Sequence, residues 1–509
     1  MTTAVSKLVL AAILMVTPVA TAPAQAQAQT LAQTTATAPV PLRFETHHSG
    51  TFGGKTIRYK AVVEQTSIIG ADGQPVAQIV ATSYIRTDTP KGTVRPVIFV
   101  FNGGPGSASV WLHMGIMGPK RVAFKDDVKP ETTPPFNITD NAESPLDVAD
   151  IVLFDPPGTG YSQAVAGKEA QSFGVEQDAK ITADFIQGWL RQYDRVGAPK
   201  FVVGESYGTI RAARLAKLLA GGPSETGSMT GITLNGVILL GQAMDMSGKG
   251  DTPYLTGLPT MAATAWYHGA VDKSATTLPQ QIKDAQGFAA GDYLRVLYLG
   301  DRATPSDKAA VATKLSALTG LTQDYILRQD LRVSLNEFAS EVLASKNIQI
   351  GMYDGRYTLP LKSSGGDPVA DDPAMGQYVP GYLAALDQHF TRNLGVKIDA
   401  SYKAIEFRTI NARWDWGGGA GVPPSKNYAT DLAVAMRRNP SLKLMVGTGV
   451  YDLVTTLGSA EYTIAHSGID LSSVTFKTYE SGHMPYMGPD SRKALSADLR
   501  TFIESASAQ

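Results

Sequence analysis

Beyond Leu42 the apolar positions of the chain alternate. Ile57, Tyr59, Ala61 and Val63 fall on every second residue with polar neighbours between them, the pattern of a strand with one wet face. The tract GADGQP at 70–75 reads as a hairpin turn, with QIVATSYI as the returning strand. The pattern then changes. RPVIFVF (95–101), ADIVLF (149–154), KFVVG (200–204), NGVILLG (235–241) and LKLMVG (442–447) are short apolar runs without alternation, as expected of parallel strands buried on both faces. Between several of them lie helical patterns. One spans 175–193, with Ile181, Phe185, Ile186, Trp189, Leu190 and Tyr193 near helical spacing. Another follows Ser206 and carries Leu215, Leu218 and Leu219. Strands alternating with helices predict a doubly wound, mostly parallel sheet, with antiparallel strands at its N-terminal side.

From about 242 to 426 this rhythm breaks. SDKAAVATKLSALTG and SLNEFASEVLAS are helical in pattern, and loop-like GKGDTPYLTG and DWGGGAGVPPSK flank the stretch. It predicts a mainly helical cap inserted between a first core segment, 42–241, and a second, 427–509. The cap is expected over the C-terminal edge of the sheet, where open α/β sheets bind ligands.

Composition narrows the picture. The chain has 509 residues, 43% hydrophobic and 18% charged, which is ample for a large core. A net charge of −1 gives nucleic acid no purchase. With no cysteine, disulfides, zinc–thiolate sites and cysteine nucleophiles are all excluded. At the N-terminus, Lys7 precedes the apolar run LVLAAILMV (8–16), and TAPAQAQAQ follows with small-x-small cleavage sites after Ala26 or Ala28. Residues 1–28 thus read as a signal peptide rather than a retained anchor, the apolar run being short for a bilayer. Residues 29–41, rich in Ala, Gln, Thr and Pro, read as a disordered linker. An exported chain without cysteine suits a bacterial periplasm or exterior, with no membrane span left after cleavage.

The chemistry centres on Gly204-Glu205-Ser206-Tyr207-Gly208, a G-x-S-x-G between the strand KFVV and a helix. That context places a serine hydroxyl on a tight turn at the sheet's edge, with the Tyr207 amide facing a developing oxyanion. The order serine, acid, histidine selects its partners. Of seven histidines, His483 in SGHMPY lies after the strand-like SVTFKTYE and before a final helix. His466 sits in a helical pattern, His47 and His48 precede the core, and His113, His268 and His389 remain open as pocket residues. Asp452 follows LKLMVGTG, with room for one helix and one strand before His483. Asp470 lacks that room, and Asp155 comes before the serine. A glycine-rich loop, Asn102-Gly103-Gly104-Pro105-Gly106, follows the strand VIFVF. It lacks the Lys-Ser/Thr ending of a phosphate loop and suits the second oxyanion donor.

NGGPGSAS, FDPPGTGYS, GESYG, GTGVYDLVT and ESGHMPY, in that order, resemble the serine carboxypeptidase family, and most of all its bacterial, cysteine-free branch. LPTMAATAWYHG, GMYDGRY and DLAVAMRRNPSLKL are similar to that branch too. The resemblance implies an α/β-hydrolase fold and a triad of Ser206, Asp452 and His483. It implies an oxyanion hole from the amides of Gly104 and Tyr207. It also implies a clamp for the substrate's terminal carboxylate from Asn102, the Gly103 amide and a protonated Glu205. The partners implied are peptides with a free C-terminal carboxylate, and neither a metal nor an organic cofactor. There are departures. Many members write GGPGCSS, and many pair the elbow glutamate with a second one. Here the corresponding stretch, VWLHMGIMGPK, holds no acid. The rivals are a related esterase or acyltransferase, whose substrates have no terminal carboxylate for Asn102 to hold, and a non-catalytic periplasmic binding protein.

Overall fold

A computed structural model describes residues 42–508, apart from Ser228, Thr230, Ser247, Lys249, 362–365, Gly421 and 423–425. The signal-peptide reading of 1–28 and the linker reading of 29–41 lie outside the described residues.

β1 (Arg43–Phe52), β2 (Lys55–Ile69) and β3 (Pro75–Arg86) form an antiparallel meander. The predicted turn closes through Gly70 N–H donating to Gln74 O at 2.8 Å. Ile57, Tyr59, Ala61 and Val63 all point into one core, as their alternation requires. β4 (Val97–Phe101), β5 (Asp150–Phe154), β6 (Lys200–Glu205), β7 (Gly236–Leu240), β8 (Lys443–Gly449) and β9 (Val474–Tyr479) continue the same sheet. Its order is β1-β2-β3-β5-β4-β6-β7-β8-β9. β3 meets β5 antiparallel, and every pairing from β5 to β9 is parallel. The apolar runs are buried on both faces. Ile98 and Val100 of β4 enter one core, while Val97, Phe99 and Phe101 enter the other.

Helices cover both faces. α1 (Val175–Gln192) and α2 (Tyr207–Leu219) pack Ile181, Phe185, Ile210 and Leu215 onto the Phe99 face. Between β7 and β8 the chain runs through α3 (Thr252–Tyr267), α4 (Pro305–Thr319), α5 (Leu335–Glu341), α6 (Met375–Gln388) and further short helices. Capping boxes, Thr304 with Asp307 and Ser334 with Glu337, fix the starts of α4 and α5. Leu258, Met261, Leu315, Leu318 and Phe338 form a core of their own. α7 (Ala429–Arg438) then rejoins the Phe99 face, α8 (Leu457–Ala465) separates β8 from β9, and α9 (Pro489–Ser507) closes the Ile98 face with Leu495 and Leu499. The predicted α/β-hydrolase architecture, mostly parallel and doubly wound with antiparallel N-terminal strands, is the one observed. Among the described residues no helix is long and apolar enough to cross a membrane.

Candidate active site

The strands end at one edge of the sheet, and each predicted site residue lies just past a strand end or at it. Asn102 follows β4, Glu205 ends β6 and Ser206 follows it, Asp452 follows β8, and His483 follows β9. Ser206 takes φ +60° and ψ −130°, a conformation that costs about 1–3 kcal/mol for a residue with a side chain. Its surroundings hold it there. Ser206 N–H donates to Leu240 O at 3.0 Å, and Ser206 O accepts from Thr209 N–H at 2.9 Å and from Thr209 Oγ1 at 2.7 Å. The turn is tight because Gly103 passes against it. A Cβ on Gly103 would lie 2.4 Å from Tyr207 N and 2.7 Å from Glu205 O.

Asp452 is fully buried. Its Oδ1 accepts from the amides of Val454 at 2.8 Å and Thr455 at 2.9 Å. Its Oδ2 accepts from Thr455 Oγ1 and lies 2.9 Å from His483 Nδ1. With Nδ1 carrying the proton, Nε2 is left as the free base. Burial by itself would lower the His483 pKa, but the Asp452 charge and hydrogen bond outweigh it and the imidazole ends above its ordinary value. The ring is packed edge-on by Tyr353, centroids 5.3 Å apart, and His483 N–H donates to Tyr353 O at 2.6 Å. Ser206 and His483 line the same cavity as Asn102, Gly103, Gly104 and Glu205. The Gly104 and Tyr207 amides, the two expected oxyanion donors, have no acceptor among the described residues.

Glu205 lies beneath the serine, 2% exposed. Its Oε1 accepts from Asn102 Nδ2 at 2.6 Å. The Asn102 side chain is itself fixed, since Oδ1 accepts from Leu112 N–H at 3.0 Å, and Asn102 O accepts from the buried Arg211 at 2.6 Å. Burial pushes the Glu205 carboxyl up to about 7, against the opposing pull of His483 and of hydrogen-bonding groups. The Tyr486 hydroxyl faces Glu205 and favours its charged form, yet neither Tyr486 Oη nor Glu205 Oε2 completes a well-aligned hydrogen bond. A carboxyl that resists ionisation is a donor for an anion.

The other histidines lie elsewhere. His113 and His389, left open as pocket residues, both point Nε2 at the buried Tyr84 hydroxyl, at 2.6 and 2.8 Å. His268 pairs with Gly355 O at 2.6 Å. His48 bonds Thr46 and stacks on Tyr59, and His466 stacks on Tyr462. Asp155 holds the start of the segment after the Asn102–Gly106 loop, accepting from Ser109 N–H at 2.8 Å. Thr455, Tyr353 and Tyr486 escape a reading of the sequence. Only Thr455 leaves a local signal, a hydroxyl three residues after an aspartate, which folds as a side-chain-capped turn.

The serine carboxypeptidase family model matches residues 83–466. Serine carboxypeptidase-like 36 of Arabidopsis thaliana is 24% identical over 188 residues, which span 36% of this chain and 36% of that protein. The matched region is therefore well under two thirds of that relative's length. Among solved structures, a prohormone-processing carboxypeptidase from Saccharomyces cerevisiae superposes with a TM-score of 0.54 at 16% identity, covering 87% of this chain and 91% of that one. The latter likeness is one of fold. With the family model spanning most of the sequence, the chain belongs to the serine carboxypeptidase family.

Proposed function

We propose that the protein is a serine-type carboxypeptidase that removes single residues from peptide C-termini. The observation that carries this reading is the buried Asn102–Glu205 pair in the cavity of Ser206 and His483. An ester or amide with no terminal carboxylate has no use for a protonated carboxyl and an amide pointed beside the nucleophile.

In this mechanism the substrate's carboxylate sits against Asn102, the Gly103 amide and neutral Glu205. Ser206 Oγ attacks the last peptide carbonyl as His483 Nε2 takes its proton. The amides of Gly104 and Tyr207 receive the oxyanion, the arrangement that contributes most in acyl transfer. The C–N bond breaks, the leaving amino acid takes the proton from His483, and water hydrolyses the ester on Ser206. Asp452 holds the imidazole tautomer and stabilises the imidazolium. The leader at 1–28 supports export to a periplasm or exterior, to be checked by cell fractionation.

Mass spectrometry of a peptide library after digestion tests the reading. Loss of one residue at a time from free C-termini, and none from amidated peptides, is expected. Internal cleavage, or ester hydrolysis alone, would sink it. Ser206→Ala is expected to abolish turnover and fluorophosphonate labelling with the fold intact. Asp452→Asn should cost on the order of 10⁴ in kcat, as loss of the orienting acid does in serine-hydrolase triads.

A further inference from the structure

We infer that Arg356 is a positioning residue for the imidazole of His483, the base of the proposed reaction, and that it acts by locking a hairpin of the inserted segment across the loops of Asp452 and His483. The inference rests on the carboxypeptidase reading above and adds a residue to its machinery. GMYDGRY, residues 351–357, is the loop of a small antiparallel hairpin between Ile348–Ile350 and Thr358–Pro360. Its backbone meets both loops. Leu453 N–H donates to Met352 O at 3.0 Å and Gly355 N–H to Tyr451 O at 2.9 Å, one residue to either side of Asp452. His483 N–H donates to Tyr353 O, and a Cβ on Gly482 would lie 2.4 Å from that same oxygen and 2.4 Å from the Asp354 Cβ. Hairpin and histidine loop therefore touch with no side chain between them.

Arg356 closes this arrangement. It is buried with Asp354, to which Nε and Nη2 donate at 2.9 and 2.6 Å. Nη1 donates to Glu480 O at 2.9 Å, and Nη2 also donates to Met487 O at 3.2 Å. Those two carbonyls lie on opposite sides of His483 in sequence, within residues 480–488, which form no regular element of their own. The guanidinium also lies over the ring of Tyr451, the neighbour of Asp452, 5.4 Å from its centroid. One carboxylate and two carbonyls thus converge on a single group. A planar fork with five donors serves all three at once, whereas an ammonium is a point charge on a flexible stem. The side-chain hydrogen bonds of Arg356 all go to the hairpin and the histidine loop. Asn102, Gly103, Glu205 and Ser206 sit on other elements, so loss of the guanidinium should disturb the base and spare the clamp.

The test uses the intact protein with Asp354→Asn and Arg356→Met combined. Both charges go together, so neither is left buried and unpaired, and the amide oxygen can still accept the Arg356 backbone N–H that Asp354 holds at 3.0 Å. On a free-acid peptide kcat is expected to fall about 100-fold, with KM within about twofold of wild type. A fluorophosphonate should still label every chain at Ser206, but about 100-fold more slowly. The ionisable groups facing the imidazole are Asp452, Glu205, Asp372 and Tyr353. Burial lowers its pKa, and Asp452 lifts it above the ordinary value. As the ring draws away from Asp452, the acid limb of the labelling rate should move to lower pH. A residue that only held the fold would reduce how much protein labels, and leave the rate and the limb where they are. A folded double variant whose labelling rate or acid limb matches wild type overturns the inference. If the double variant does not fold, Arg356→Lys, which keeps the cation without the fork, is read in the same way, with about a tenfold slower rate expected. A lysine variant that labels like wild type, or that fails to fold, overturns the inference. A wild type that labels but trims no peptide sinks the carboxypeptidase reading instead, and the labelling rates still decide the role of Arg356.

Discussion

A carboxyl held up to about 7 by burial keeps a proton in the folded chain that the unfolded chain gives up near its ordinary value of 4.5. Stability is therefore full below 4.5 and is lost as pH rises through 7, by roughly 3 kcal/mol at about 1.4 kcal/mol per pH unit. Glu205→Gln should recover up to that amount at pH 8 and little at pH 4, read by urea denaturation. The same proton serves the proposed clamp. Ionised Glu205 repels the substrate carboxylate, so kcat/KM of wild type on a free-acid peptide should fall about tenfold per pH unit above 7. The fall should lie in KM, because what weakens is binding. An amide donates at every pH, so the Gln variant should show a flat alkaline limb. Coincident limbs in the two proteins would remove Glu205 from the clamp. Tyr486 faces the same carboxyl where a second acid is absent. It favours the charged form, so Tyr486→Phe should move the wild-type limb to higher pH. A limb that stays put would make Tyr486 a packing residue. The placement of Ser206, Asp452 and His483 just past strand ends was legible because strand pattern, turn and chain order are written in the sequence. Tyr353 and Tyr486 were not, because their meaning lies in contacts between loops that no spacing encodes.

At the scale of elements, the apolar runs of β4 to β8 were legible because burial on both faces leaves no polar positions. Between β7 and β8, α4 and α5 were legible from their helical patterns, but the packing of the helices on one another was not. That segment reaches the histidine loop through Tyr353 and through Arg356, which pairs with Asp354 at 2.6 Å and donates to Glu480 O at 2.9 Å and Met487 O at 3.2 Å. Two loops are joined this closely only where backbone meets backbone. A Cβ on Gly449, ending β8, would lie 2.0 Å from Gly482 O, and one on Gly103 would press on the elbow. Neither neighbour is a flexible side-chain tip that can step aside. Gly103→Ala should therefore displace the elbow backbone and the Tyr207 amide, at a cost of about 10²–10³ in kcat. Fluorophosphonate labelling rates check this, and labelling at the wild-type rate would show that the loop has slack.

For the molecule as a whole, Tyr84, His113 and His389 form a buried polar knot between β3, the segment after the Asn102–Gly106 loop and the end of α6. His389 Nδ1 lies 3.2 Å from Asn393 Oδ1, so its Nε2 accepts from Tyr84 while His113 donates. Burial holds the His389 pKa down to about 4 and His113 well below the ordinary 6.5. Below 6.5 the unfolded chain takes up protons that the folded chain refuses. Stability present above 6.5 is then lost as pH falls toward 4, about 3 kcal/mol of it through His389. His389→Gln should make unfolding less dependent on pH between 7 and 4, measured by denaturant titration. An unchanged dependence would place the acid-labile groups elsewhere.

The parallel pairing of β7 with β8 has a consequence in time. In the proposed mechanism the nucleophile Ser206, the oxyanion amides and the carboxylate clamp all precede the long excursion between those strands, whereas the acid and base, Asp452 and His483, follow it. A ribosome delivers the nucleophile early and its base last. Contacts so distant in sequence also form late in folding, because the intervening loop must be closed first. An unfinished or truncated chain thus holds a serine with no partner to take its proton. The cell that synthesises this protein carries a hydrolase that stays chemically silent until its last strand is in place.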